Sequence, residues 1–244
     1  MLNPVIAITA LAAMFSVPLA SAGATVAISG SLPDAVASGS VDGTAFVLPS
    51  EILPGSAGEV YFGSSSLSVG GAVINGIHGY GDPDPFVSFS IGVTDPGAPS
   101  DFQFAFTIPL SPLLIDGTTY AVHSSLGVTL TSSFGAVATI TPDFGNIMLT
   151  NVGSCAAGVD IGTAFSSPPR TSTTQSFSAN GTFVPIAGCD NTLTAFVAFT
   201  GSGGEANYGL TGEFDILAVP EPISLALLAP AVLGVIGAAR RNRT

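Results

Sequence analysis

Between Ala24 and Ala218 apolar residues recur at every second position and nowhere hold the three-to-four-residue spacing of a sustained helix; no feature of this chain constrains its fold more. The clearest run is Asp101-Phe-Gln-Phe-Ala-Phe-Thr-Ile108. It puts Phe102, Phe104, Phe106 and Ile108 on one side and Asp101, Gln103 and Thr107 on the other. Val87, Phe89, Ile91 and Val93 repeat the pattern one strand earlier. Around 196–199, Phe196 and Ala198 alternate with Val197 and Phe199, which predicts a strand buried on both faces. Further strands are expected at 25–29, 58–62, 119–123, 127–130, 137–141, 146–150, 175–183 and 208–217. Asp116-Gly117 reads as a tight hairpin turn, and prolines 83, 85, 96, 99, 109 and 112 as turn and edge residues. About a dozen short strands without a fixed-length repeat point to an all-β chain. The expected fold is an antiparallel β-sandwich of the jelly-roll kind.

The two ends read differently. Met1-Leu-Asn-Pro precedes an apolar stretch from Val5 to Leu19, and Ala20-Ser21-Ala22 supplies an A-x-A cleavage site. Residues 1–22 are therefore expected to be a signal peptide, although no Lys or Arg precedes the apolar stretch. At the other end Val219-Pro220-Glu221-Pro222 leads into an apolar run, 223–239, and then Arg240-Arg241-Asn242-Arg243-Thr244. The prolines hold the backbone extended and stop the following helix from propagating backward. Seventeen residues make a helix of about 25 Å, at the short end for a membrane span. Arg240, Arg241 and Arg243 would stay on the cytoplasmic side and stop transfer.

A Pro-Glu-Pro signature, one apolar helix and a terminal arginine cluster resemble the PEP-CTERM sorting signal. The resemblance covers only about 25 residues. It implies recognition through Pro220, Glu221 and Pro222 by an exosortase, a membrane-embedded processing enzyme, and a source among Gram-negative bacteria that make extracellular polysaccharide. An ordinary C-terminal membrane anchor is the alternative. The chain thus divides into a signal peptide (1–22), a β domain (23–218) and a sorting tail (219–244).

Charge narrows the functions open to the β domain. Of sixteen carboxylates only Glu221 lies in the tail, so fifteen face a single cation, Arg170, between Gly23 and Val219, a formal charge of −14. Such a domain is repelled by nucleic acid and by anionic headgroups, and binding to phosphate backbones is excluded as a reading. Divalent cations and neutral polysaccharide remain compatible partners. Cys155 and Cys189 are the only cysteines; in an exported chain they are expected to form one disulfide, worth roughly 3.5–4 kcal/mol on the chain-entropy model, the alternative being two buried thiols. With no histidine nearby they do not make a zinc site.

Catalytic signatures are missing. There is no G-x-S-x-G, H-E-x-x-H, P-loop or dinucleotide fingerprint. His78 lies in what reads as a glycine-rich turn, Gly76-Ile-His-Gly-Tyr80, and His123 on a predicted strand. A Ser-His-Asp triad needs no sequence proximity, so a secreted hydrolase stays as a third reading, with no catalytic residue assigned. Glu213 and Asp215 flank Phe214 and would face the same side of a strand, either as solvated residues or as a cation site; Glu51 and Glu59 are the other close pair. In Gly81-Asp82-Pro83-Asp84-Pro85, Asp82 and Asp84 are candidate calcium ligands, with Asp95 and Asp101 as further donors, unless the loop is simply good turn chemistry. No other cofactor is indicated. Tyr61, Tyr80, Tyr120 and Tyr208 are the candidates for stacking on sugar rings, since the chain has no Trp. The expected function is that of a non-enzymatic cell-surface or matrix protein sorted by exosortase; the alternative is a carbohydrate- or calcium-binding adhesion module.

Overall fold

The computed structural model describes residues 35–52, 58–82, 85–110, 114–133, 135–153, 156–186 and 191–218. The signal peptide, the strand expected at 25–29, Asp84, Cys155, Cys189 and the whole sorting tail, including Pro220, Glu221, Pro222, Arg240, Arg241 and Arg243, lie outside the described residues. Among those described, the chain is all β and every ladder between strands is antiparallel.

In chain order the strands are β1 (Val36–Val41), β2 (Thr44–Leu48), β3 (Ser50–Ile52), β4 (Val60–Ser64), β5 (Leu67–Val69), β6 (Ala72–Asp82), β7 (Phe86–Asp95) and β8 (Asp101–Pro109). Then follow β9 (Tyr120–Thr131), β10 (Ala138–Pro142), β11 (Met148–Val152), β12 (Ala156–Ala157), β13 (Phe165–Ser167), β14 (Ser172–Phe183), β15 (Thr192–Gly201) and β16 (Ala206–Ala218). They form two sheets. Sheet I has the order β12-β11-β15-β8-β1-β2, with β10 joining β15 and β13. Sheet II has the order β14-β9-β16-β7-β6-β4-β3, with β5 on β6. From β7 onward the chain repeatedly changes sheet, which makes the sandwich jelly-roll-like.

One continuous core lies between the sheets. Sheet I contributes Phe102, Phe104, Phe106, Val197 and Phe199; sheet II contributes Phe62, Ile77, Phe89, Ile91, Leu126, Tyr208 and Phe214. Phe89 of β7 stacks on Phe106 of β8 across the gap, with centroids 5.1 Å apart and planes 3° from parallel. The alternation expected for 101–108 and 87–93 is present, and Phe196 to Phe199 are all buried.

Three expectations are corrected. The glycine-rich segment around His78 is the middle of β6 and not a turn. Its inward glycines make room for large side chains of the opposite sheet: a Cβ on Gly79 would stand 2.8 Å from Phe106 Cδ1, and one on Gly81 2.3 Å from Ile108 Cγ2. Asp116-Gly117 is a tight turn, with Gly117 at φ 78°, but it joins β8 of sheet I to β9 of sheet II and so closes no hairpin. The segments expected at 119–123 and 127–130 are one continuous strand, β9.

Candidate functional site

The two sheets differ on their outer faces, and sheet II carries the polar chemistry. Its antiparallel register sets outward residues into cross-strand rows. One row runs Asn180, His123, Asp215, Phe86, Asp82 across β14, β9, β16, β7 and β6. The next runs Ser178, Ser125, Glu213, Ser88, Tyr80, Tyr61, Glu51 and reaches β4 and β3. A third runs Ser176, Gly127, Thr211, Ser90, His78, Gly63. Strand spacing makes the face roughly 25–30 Å across.

A shallow depression of about 350 Å³ opens over β14, β9 and β16. Gly127 is among its lining residues, and Ser125, Ser176, Ser178, Thr211 and Glu213 supply the polar groups of the lining. Toward the other edge the surface becomes aromatic. Tyr61 is 40% exposed, Tyr80 and Phe86 are half-buried, and the Tyr80 and Phe86 ring centroids stand 6.1 Å apart. Tyr61 Oη and His78 Nδ1 share a hydrogen bond of 2.6 Å, which fixes both rings on the face. The Tyr80 phenol is pushed above its ordinary pKa by burial and by the Glu59 and Asp82 carboxylates, the first of which accepts its hydrogen bond; it stays a protonated donor.

Beside the depression His123, Glu213 and Asp215 present one imidazole and two carboxylates whose ligand atoms all lie within 4.8 Å of one another. His123 Nδ1 is 3.1 Å from Asp215 Oδ1. Period-two alternation puts Glu213 and Asp215 on one side of β16, as the sequence predicts. That His123 joins them follows from the β9:β16 register, in which His123 faces Asp215.

Other sequence candidates are scattered. Tyr120 and Tyr208 are 7% and 1% exposed, and both hydroxyls serve the fold: Tyr120 Oη accepts from Ile115 N, while Tyr208 Oη accepts from Ser202 N. Neither ring is available to a ligand. Asp95 and Asp101 do not join Asp82. Asp82 pairs with Phe86 at one end of β7, whereas Asp95 ends the same strand, roughly 30 Å away at the strand rise. Asp95 is buried and holds the chain through bonds from Ser100 Oγ (3.0 Å) and Gly203 N (2.9 Å). The two histidines stand three strand spacings apart, on β6 and β9, so they form no joint centre.

No protein-family model matches the chain, and neither does any curated protein. Among solved structures, a protein described as "CBM4 structure and function" is 15% identical with a TM-score of 0.21, covering 61% of this chain and 79% of its own. The family 11 carbohydrate-binding module of the cellulosomal cellulase Lic26A-Cel5E of Clostridium thermocellum is 9% identical with a TM-score of 0.23, covering 78% of this chain and 91% of its own. TM-scores in this range assign neither a fold family nor a ligand, and the architecture stands on the strand register alone.

Proposed function

We propose that this chain is an exported, non-catalytic surface or matrix protein whose β-sandwich binds polysaccharide on the outer face of sheet II. The observation that carries the reading is the combination on that single face of Tyr61, Tyr80 and Phe86 with a depression walled by hydroxyls and a carboxylate. A sugar ring has an apolar C–H face and a polar rim. Aromatic rings take the first, and serine, threonine and ionised carboxylates take the second, the carboxylates by the stronger charge-assisted bonds. A face about 25 Å across, at the usual strand spacing, accommodates several rings in a row, which favours a chain over a single sugar. The β domain's formal charge of −14, fifteen carboxylates against Arg170, favours a neutral polysaccharide over an acidic one.

Delivery rests on the sequence ends. The A-x-A site at Ala20–Ala22 supports export, and Pro220-Glu221-Pro222 with the apolar run and Arg240, Arg241 and Arg243 supports exosortase sorting through an inner-membrane intermediate to the cell surface. Intact mass of the protein from the host's envelope and extracellular fractions tests this. A mass beginning at Gly23, ending near Val219 and lacking two hydrogens supports export, tail processing and the Cys155–Cys189 disulfide together. A membrane-bound mass that retains 223–244 means an ordinary anchor.

Binding is tested by affinity electrophoresis of the full chain against neutral polysaccharides, with and without calcium. Retardation that Tyr80→Ala weakens supports the module reading. No retardation in either buffer leaves a structural protein without a glycan site. Turnover on a panel of ester and glycoside substrates, lost on replacing His123 or His78, would instead support a hydrolase.

A further inference from the structure

We propose that His123, Glu213 and Asp215 bind a divalent transition-metal cation, with zinc as the reference ion, on the outer face of sheet II. The cluster differs from a chance group of surface acids in three ways. One donor is an imidazole, which suits zinc, copper and nickel better than the oxygen-seeking calcium and magnesium. The donors come from two directly paired strands, β9 and β16, in the interior of a seven-strand sheet path, so their backbone positions are fixed by ladders on both sides. Its third donor, Glu213, also lines the depression, so the cluster borders a concave part of the face.

The distances suit a small ion. Donors about 2.05 Å from a tetrahedral zinc stand roughly 3.3 Å from one another. His123 Nδ1 and Asp215 Oδ1 are already 3.1 Å apart. The third donor lies within 4.8 Å of both and closes the remaining gap by side-chain rotation. Calcium, which takes six to eight oxygens, finds only two carboxylates here. Three protein donors leave at least one coordination position, and Glu213 turns that side of the cluster toward the depression it lines. The surrounding charge favours a cation: the domain carries fifteen carboxylates against Arg170.

The experiment is isothermal titration of the untagged, thiol-alkylated full chain with zinc chloride, no sugar present, so that its failure leaves the polysaccharide reading intact. The expected result is saturable one-to-one binding that His123→Ala and Glu213→Gln each weaken by about tenfold or more, while His78→Ala leaves it unchanged. Cobalt(II) should replace zinc and give the visible absorption of a four- or five-coordinate site, absent in His123→Ala. Circular dichroism confirms that each variant keeps its β signal, and a variant that unfolds is replaced by His123→Gln. Absence of saturable binding overturns the proposal, as does equal binding in the His123 and Glu213 variants or displacement of zinc by equimolar calcium.

Discussion

The two outer faces are built from the same alternating pattern and reach opposite ends. On sheet I the centre of the face closes on itself. Phe196 and Leu149, Cα partners on β15 and β11, are 6% and 9% exposed, and Phe144 lies against Phe196 with ring centroids 6.1 Å apart. On sheet II the corresponding strands present serine, threonine, glycine, two histidines, two tyrosines and carboxylates to solvent. Period two alone therefore does not say which face of a sandwich works. The residues it places outward do, and in this chain one face is packed while the other is left polar and open.

The sharpest way to break the distinction is to exchange roles within one strand. On β6, Gly81 faces inward against Ile108, whereas Gly76 faces outward, where an added Cβ would meet nothing nearer than 3.7 Å. Gly81→Ala is expected to cost about 2–3 kcal/mol through overpacking against a branched side chain, whereas Gly76→Ala should change stability by less than about 0.5 kcal/mol. Urea denaturation of the pair measures this; equal effects would mean that β6 does not present these faces.

The next effect is smaller and of opposite sign. Ser124 is fully buried opposite Phe214, and its hydroxyl has no hydrogen-bond partner among the described residues. Ser124→Ala removes an unpaired polar atom from the core and is expected to raise stability by about 1 kcal/mol. A loss of similar size would reveal a partner that the fold holds for this hydroxyl.

Acid is the gentlest probe, and two carboxyls beside sheet I give it a handle. Asp143 is solvent-exposed, yet partial desolvation and the Asp101 charge hold it above its ordinary pKa of 3.8, against the lowering effect of its bond from Thr200. That hydroxyl stands 2.8 Å from both carboxylates. Asp160, also exposed, is likewise raised by partial desolvation, against the bond it accepts from Thr150 N. A carboxyl whose pKa is higher folded than unfolded binds its proton more tightly in the native state. Its contribution is fully present below 3.8 and is lost as pH rises through the raised value. Melting temperature should therefore rise modestly on acidification from about pH 7 toward about pH 4, and Asp143→Asn should raise it near neutral pH and flatten the slope. A melting temperature that falls steadily over this window would contradict the assignment.

Legibility in the sequence followed how local each determinant is. β7, β8 and β15 could be read because their apolar spacing is carried by Val, Ile and Phe within ten residues. β6 could not: Gly76, Gly79 and Gly81 read as turn residues, and the reason for the inward pair, the bulk of Phe106 and Ile108 in the facing sheet, lies outside the segment. The same divide runs through the site. Glu213 and Asp215 were legible as a same-side pair from strand periodicity, while His123 reaches Asp215 across 92 residues of chain and depends on a register that no local pattern encodes. Of the four tyrosines considered for sugar stacking, only Tyr61 and Tyr80 face outward, a choice made by burial rather than by residue type.

The central claim is that the outer face of sheet II is the working surface of this protein. Backbone amide chemical shifts of the isotope-labelled full chain, followed during titration with a neutral polysaccharide fragment that retards it in a gel, test that most directly. The account predicts shifts concentrated at Tyr61, Tyr80, Phe86, Ser125 and Glu213, with Ser38, Gln103 and Thr107 of sheet I unmoved. Shifts centred on the sheet I residues, with the sheet II face silent, would contradict it.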